Sequence, residues 1–576
     1  MTRPSLAIAL SAGTCLTAAS ALAAPPSLDY VPQGATMVAA VDNVGALGGN
    51  LTDLLAMLGL DEAAQNVSMG MMMMGGMGVD PEGSMAIVIM TDDIESLQYG
   101  DGAIAIIGEM TDYEAFVGNF GGDPDADIAE FDMQGQTAFA RRLSNGFVAF
   151  GPHRETVESI SARGGGARAL GEWSGEVGTE IADDANLILM ADIQALKPLL
   201  EENMGEFYDG LEQGAQMGGD QGAFGVEIVR TVVETFLADA RAGLIGLHLD
   251  DTGVAIDIAA QFDEESELGE MFAERGDASS LMAHLPTVPV LFAGAFDTSH
   301  PGVRAIMGNI VEMQQEFMPD VPANRSLEML RSAEGGAFVI GNSAALLSGG
   351  LFSNSAFYMA SARPERVMEA NAENIRASNG LEQQGMTMRS QYNEDALEVA
   401  GASVDSWSVR MQLDPNNPMA QQAQMAMMGI FGPGGGPQGY IASVDGGVVG
   451  TLSQNRRLME TSINAARAGN GLGESEEIGD AASNLRGGNI AELYIGIGNI
   501  LNTATSVMGM MGQDLDIDIP RDLGSVPVSV GSIDGGVRIR TFVPTDVIVT
   551  TSEIAKYVQQ MQGGMAPRGG RDDAGF

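Results

Sequence analysis

Short apolar runs recur along the chain, and each is closed by a polar or small residue that opens a second apolar pattern at helical spacing. The first is Met37-Val-Ala-Ala-Val-Asp42-Asn-Val-Gly-Ala-Leu47, and a close copy is Asn186-Leu-Ile-Leu-Met-Ala-Asp192-Ile-Gln-Ala-Leu196. Both read as a strand turning into a helix. Asp42 and Asp192 stand where an N-cap side chain satisfies free N–H groups of the first turn. Weaker copies begin at Val290, with Asp297 at the turn, and at Ile490, with Gly498-Asn499 at the turn.

A second unit is a strand, a short turn and a helix. It occurs as Gly146 to Phe150 followed by His153 to Glu158, as Ala356 to Met359 followed by Pro364 to Glu369, and as Gly447 to Gly450 followed by Asn455 to Glu460. Val157, Val367 and Leu458, near the helix starts, are expected on the buried faces. A third unit is a hairpin. Leu247 to Ile256 matches Val530 to Ile539, and Ser443-Val-Asp445-Gly-Gly447 carries a further Asp-Gly turn. Asp followed by Gly between alternating apolar residues favours a tight hairpin, because Gly takes positive φ without strain. Two amphipathic helices are expected, one placing Val229, Val232, Val233, Phe236, Leu237 and Ala240 on one face. The other does so with Val303, Ile306, Met307, Ile310 and Phe317.

The order of these units suggests a duplication. Val31-Pro32 leads into the first strand as Leu285-Pro286 leads into the strand at Val290, and each half ends in the Asp-x-Gly hairpin. The chain is therefore read as α+β in two tandem related halves, residues 27 to 276 and 283 to 560. Each is a largely antiparallel sheet covered by helices on one face. Residues 562 to 576 read as a disordered tail.

The N-terminus changes the picture of where the protein works. Arg3, the charge-free apolar stretch Leu6 to Leu22 and the small-residue site Ala21-Leu22-Ala23 form the three parts of a secretory signal peptide, residues 1 to 23. Cys15, the only cysteine, leaves with it, so the exported body has no thiol for a disulfide, a zinc site or a nucleophile. The expected location is the periplasm or the exterior. No later apolar run has the length of a membrane span. The net charge of -49, with 77 acidic against 28 basic residues, disfavours nucleic acid and anionic membranes as partners.

The segment Leu28-Asp-Tyr-Val-Pro-Gln-Gly-Ala-Thr-Met-Val-Ala-Ala-Val-Asp42, the Gly78-Val-Asp-Pro81 turn and the element Asn145-Gly-Phe-Val-Ala-Phe-Gly151 resemble a broad group of exported bacterial proteins. These are filed as a domain of unknown function (number 3352). The resemblance implies an exported, repeated α+β protein and carries no reaction and no functional residue. The long Met-Gly insertions depart from the group's pattern.

Local signatures of chemistry are sparse. His153, His248, His284 and His300 stand far apart and form none of the common zinc spacings. Neither Lys197 nor Lys556 belongs to a phosphate-cradling loop or a Ser-x-x-Lys motif, and Gly341-Asn-Ser343-Ala-Ala345 lacks the last glycine of a nucleophile elbow. Asp123, Asp125 and Asp127 alternate like calcium ligands, but Ile128 and Gln134 stand where the loop needs Gly and Glu. Asp514, Asp516 and Asp518 alternate as in a half-buried strand. Met69, Met71 to Met74 and Met77 form one methionine cluster, Met419, Met425, Met427 and Met428 a second, and Met508, Met510 and Met511 a third.

The expected role is a non-catalytic binding or scaffolding protein of the bacterial envelope or exterior. It has an unidentified protein or envelope partner, no cofactor, no metal and no catalytic residue. One alternative is a carboxylate-dependent secreted hydrolase, which needs only two acids across a cleft and no linear motif. The other is copper binding by thioethers, set against their use as adaptable apolar filler or as a contact surface for a protein or lipid.

Overall fold

The computed structural model describes residues 24–90, 103–133, 135–215, 220–308, 332–343, 349–383, 386–413, 420–510, 519–520 and 522–564. The signal segment, Ile310, Phe317, Met419, Met511 and the Asp514 to Asp518 string lie outside the described residues.

The strands in chain order are β1 (Met37–Val41), β2 (Met85–Ile89), β3 (Ile104–Glu109), β4 (Ala129–Met133), β5 (Gln136–Arg142), β6 (Phe147–Gly151), β7 (Leu187–Asp192), β8 (Ala240–Leu249), β9 (Gly253–Phe262) and β10 (Val290–Phe296). They continue with β11 (Gly335–Gly341), β12 (Ser355–Ala360), β13 (Glu382–Gln383), β14 (Met386–Val399), β15 (Ala402–Leu413), β16 (Gln438–Val444), β17 (Gly447–Thr451), β18 (Asn489–Ile495), β19 (Val526–Ile533) and β20 (Gly536–Pro544). All join one antiparallel sheet. From one edge the order is β4-β5-β6-β3-β2-β1-β7-β8-β9, and from the other it is β13-β14-β15-β16-β17-β12-β11-β10-β18-β19-β20. The two series meet where β9 pairs with β20, from Gly253 opposite Pro544 to Gln261 opposite Gly536. The fold is thus mixed α+β on a large antiparallel sheet.

The local signals act as their chemistry requires. Val157, Val367 and Leu458 are buried at the starts of their helices. Asp534 and Gly535 both take positive φ, 45° and 74°, in the two-residue turn between β19 and β20, which suits the twist of the flanking strands. Asp192 caps the helix Ile193–Ala215 by accepting from Ala195 N–H at 2.9 Å. Three local expectations are corrected. Asn43, not Asp42, caps the helix Val44–Met57, accepting from Ala46 N–H. Gly498 and Asn499 lie inside the helix Ile497–Met510, where Asn499 donates to the Val290 carbonyl instead of marking a turn. Ala240 opens β8 and lies outside the helix Asp220–Asp239: it pairs with Phe262 on β9, and its carbonyl accepts from the Gln194 side chain. The helix Thr545–Gly564 runs past the tail boundary read at residue 562.

Two large apolar cores lie on one face of the sheet. The first gathers side chains from Leu28 to Ala259 and takes Ile533 from β19; the second runs from Ala278 to Tyr494. The helical segment Gly166–Ala182, broken at Gly175, covers this face at the meeting of the series, its second part setting Ile181 over Gly246 and Val177 over Gly536. Helices also reach the opposite face, where Ile193 lies over Gly243. Gly243 and Gly246 project to opposite sides of β8 because side chains alternate along a strand, so the helices do not keep to a single face.

Candidate functional site

Beneath the helix Gly166–Ala182, the junction of β9 and β20 carries charge where a core would be expected. Asp257 on β9 is 2% exposed and Arg538 on β20 is 1% exposed. Asp257 accepts from Arg540 at 2.6 Å and lies 3.8 Å from Arg486 and 3.9 Å from Arg538. Arg538 also pairs with Glu180, and Arg486 with Asp184. The three carboxylates of this cluster precede residue 276 and its three inner guanidiniums follow residue 283, so these ion pairs tie one strand series to the other; the half-exposed Arg275 adds a contact to Glu180 at 3.7 Å from the rim. Burial pushes the Asp257 carboxyl above its ordinary range, against the pull of Arg540, Arg486 and Arg538. Burial likewise lowers the Arg538 guanidinium, against the support of Glu180. Such a cluster adds little net stability compared with an apolar core, but losing one member leaves a buried charge uncompensated.

The consequence lies on the other side of the same strands. In β9, Ala255, Asp257 and Ala259 face inward, while Ile256 and Ile258 are 41% and 52% exposed. In β20, Arg538 and Arg540 face inward and Ile539 is 43% exposed. Polarity is inverted: the charged positions are buried and the large aliphatic ones are in solvent. The register extends this aliphatic surface across the sheet. Ile539 pairs with Ile258, Ile258 with Ile245, Ile245 with Leu189, Leu189 with Ala39 and Ala39 with Ile87. A parallel row joins Val41, Leu187, Leu247, Ile256 and Thr541. Neither row contains a charged residue.

Helices bound this surface at both ends of its strands. At one end the helix Ile193–Ala215 packs on β7 and β8, and Phe236 and Leu237 of the helix Asp220–Asp239 join Phe262 in an apolar cluster. At the other end Val547 of the helix Thr545–Gly564 packs with Val543, Val526 and Leu501. Asn50 of the helix Val44–Met57 donates to the Leu249 carbonyl, and Lys556 donates to the Leu58 carbonyl, joining the helices of that end. The result is a trough with an aliphatic floor and helical walls.

The residues singled out in the sequence are dispersed. His248 bridges the Asp184 carbonyl and Asp250, His284 contacts the Ala466 carbonyl and stacks on Tyr358, and His300 contacts the Glu274 carbonyl. His153 sits at the N-terminus of the helix Arg154–Ser159. Asp123 accepts from Asp125 N–H in an exposed turn. Asp297 accepts from the Ser299 hydroxyl and N–H and from Asp277 N–H; burial pushes its carboxyl up, but these bonds outweigh burial and hold it below its ordinary range. The described methionines of the three clusters fall on helices, apart from Met77 just after Asp61–Gly76. Met69, Met72 and Met73 are exposed on Asp61–Gly76, while Met71 packs on Gly48 and Met74 joins an apolar cluster. Among the described residues no group of three or more His, Cys, Asp or Glu side chains is arranged to hold a metal ion.

One acidic cavity also lies near the junction, with a volume of about 920 Å³. Glu476, Glu477, Asp480 and Asp522 line it above Leu523 and Phe542. Burial pushes the Glu477 carboxyl up, against hydrogen bonds from the Ser525 hydroxyl at 2.9 Å and from Val290 N–H.

The sequence reading missed both the charged junction and the trough. The available signal was the placement of Arg538 and Arg540 on a strand in a chain with only 28 basic residues. Among the described residues no helix is long and apolar enough to cross a membrane. Compared with known proteins, the chain matches no family model, no curated protein and no solved structure.

Proposed function

We propose that the chain is an exported, non-catalytic binding protein of the bacterial envelope or exterior and that its binding surface is the aliphatic trough. The observation that carries this reading is the inversion in β9 and β20. Exposing Ile256, Ile258 and Ile539 while burying Asp257, Arg538 and Arg540 runs against both the hydrophobic effect and the cost of desolvating charge. A local violation of patterning of this kind belongs to function, and a large contiguous apolar patch marks an interaction site. Export is supported by the three-part N-terminal signal.

The two-halves reading belongs to the same proposal. Its support is that β1, β2, β3, β6, β7, β8 and β9 neighbour one another in the order of β10, β11, β12, β17, β18, β19 and β20. At one constant displacement Gly253 answers to Gly536, Ile256 to Ile539 and Asp257 to Arg540. Asp257 also pairs directly with Arg540, so corresponding positions meet on a local two-fold axis. Duplication of a half that paired through this strand accounts for both facts.

The experiment is fractionation of the source cells together with titration of the mature chain by N-phenyl-1-naphthylamine, an uncharged probe that fluoresces in apolar sites. Cytoplasmic retention would overturn export, and absence of saturable probe binding would overturn the trough as a site. The acidic cavity favours a second reading, the carboxylate-dependent hydrolase. Glycoside turnover that is lost in Glu477→Gln with unchanged stability would establish it in place of the first.

A further inference from the structure

We infer that the trough binds the single acyl chain of a lipid that carries no net negative charge, lying across the strands from β2 to β20. This rests on the binding function proposed above and names its ligand class. The floor is aliphatic, so it recognises a ligand by apolar packing alone. The backbone groups of these central strands are engaged in ladders with neighbours on both sides. A peptide therefore cannot add as a strand, as it would at a sheet edge. The helical walls at both strand ends keep a flat bilayer or a broad protein surface off the floor and leave a slender channel. From Ile87 on β2 to Ile539 on β20 the row crosses five strand spacings, on the order of 24 Å, the length of an extended long-chain acyl group. The protein's charge of -49 repels an anionic headgroup at the mouth of the trough and tolerates a zwitterionic or neutral one.

The test is displacement of bound N-phenyl-1-naphthylamine from the mature chain by lysophosphatidylcholines of short, medium and long acyl chain, each below its micelle threshold. Displacement should strengthen steeply with chain length, and lysophosphatidylglycerol of the same long chain should compete less well. Ile258→Thr combined with Ile539→Thr keeps β-branched residues on the strands and should weaken long-chain displacement about tenfold, because two floor side chains become smaller and polar where the acyl chain lies. Leu60→Thr, at an exposed residue outside the trough, should leave displacement unchanged. Leu189→Thr alone serves if the double variant fails to fold. Probe binding that no lysolipid displaces, or displacement indifferent to the trough substitutions, overturns the acyl-chain inference and leaves the binding function standing. Failure of the wild-type chain to bind the probe overturns both.

Discussion

Replacing Asp257 by asparagine keeps the shape of the side chain and removes its charge. In the wild type three carboxylates, Glu180, Asp184 and Asp257, face three inner guanidiniums, Arg486, Arg538 and Arg540, with the half-exposed Arg275 against Glu180 at the rim. The substitution leaves the cluster with an excess positive charge at its most buried point, since Asp257 and Arg538 are 2% and 1% exposed. Removing one partner of a buried ion cluster costs about 3–5 kcal/mol, a fifth or more of the ~5–15 kcal/mol that holds a typical domain folded. Urea unfolding followed by tryptophan fluorescence reads it. The chain has only Trp173 and Trp407, one in each proposed half, and Trp173 lies in the helical segment Gly166–Ala182, across the break at Gly175 from Glu180. Trp407→Phe in both backgrounds then isolates the half that supplies the carboxylates. Asp257→Asn with Arg540→Gln restores neutrality and should cost less than the sum of the two single variants by at least about 1 kcal/mol. A single variant that loses less than about 1 kcal/mol, or a double variant that is strictly additive, would refute the view that these charges act as one buried unit joining the two strand series.

Other outcomes follow from the same geometry. Asp192→Ala removes the cap on the helix Ile193–Ala215 and should cost about 1 kcal/mol in urea unfolding. The Asp297 carboxyl is held below its ordinary range, so its contribution to stability is present above the unfolded value near pH ~4 and is lost as pH falls through the lower folded value. Asp297→Asn should therefore flatten the acid limb of the stability profile and leave its shape near neutrality unchanged. Glu477 behaves oppositely: its raised carboxyl makes stability fall as pH rises from the unfolded value, about 4.3, through the folded one. Glu477→Gln should remove that fall, which unfolding midpoints at acidic and neutral pH will show.

The local elements were legible because their signals are local. Asp445-Gly446 and Asp534-Gly535 set two hairpins, capping side chains opened helices, and Val157, Val367 and Leu458 went inside as their spacing requires. The pairing of β9 with β20 was not legible, because it joins residues hundreds of positions apart and no turn chemistry encodes it. The trough was hidden for a different reason. In Met37-Val-Ala-Ala-Val both faces of the strand are apolar, so alternation cannot say which one is the core. In β9 alternation points the wrong way: Val254, Ile256 and Ile258 read as the inner set and Asp257 as the outer. The guanidiniums of β20 and Arg486 reverse that order, and they become neighbours of Asp257 only in the folded chain. Asp42 and Asn43 show the same limit at small scale, since both can cap and the strand end alone decides which one does.

The central claim is that the exposed aliphatic face is a binding surface. The most direct measurement is a fluorescence titration of the folded protein with N-phenyl-1-naphthylamine, repeated on Ile258→Thr combined with Ile539→Thr. The account predicts saturable binding to the wild-type chain and a clear loss in the variant, with thermal unfolding little changed because both isoleucines are already half in solvent. Equal binding by the two proteins, or no saturable binding by either, would contradict it.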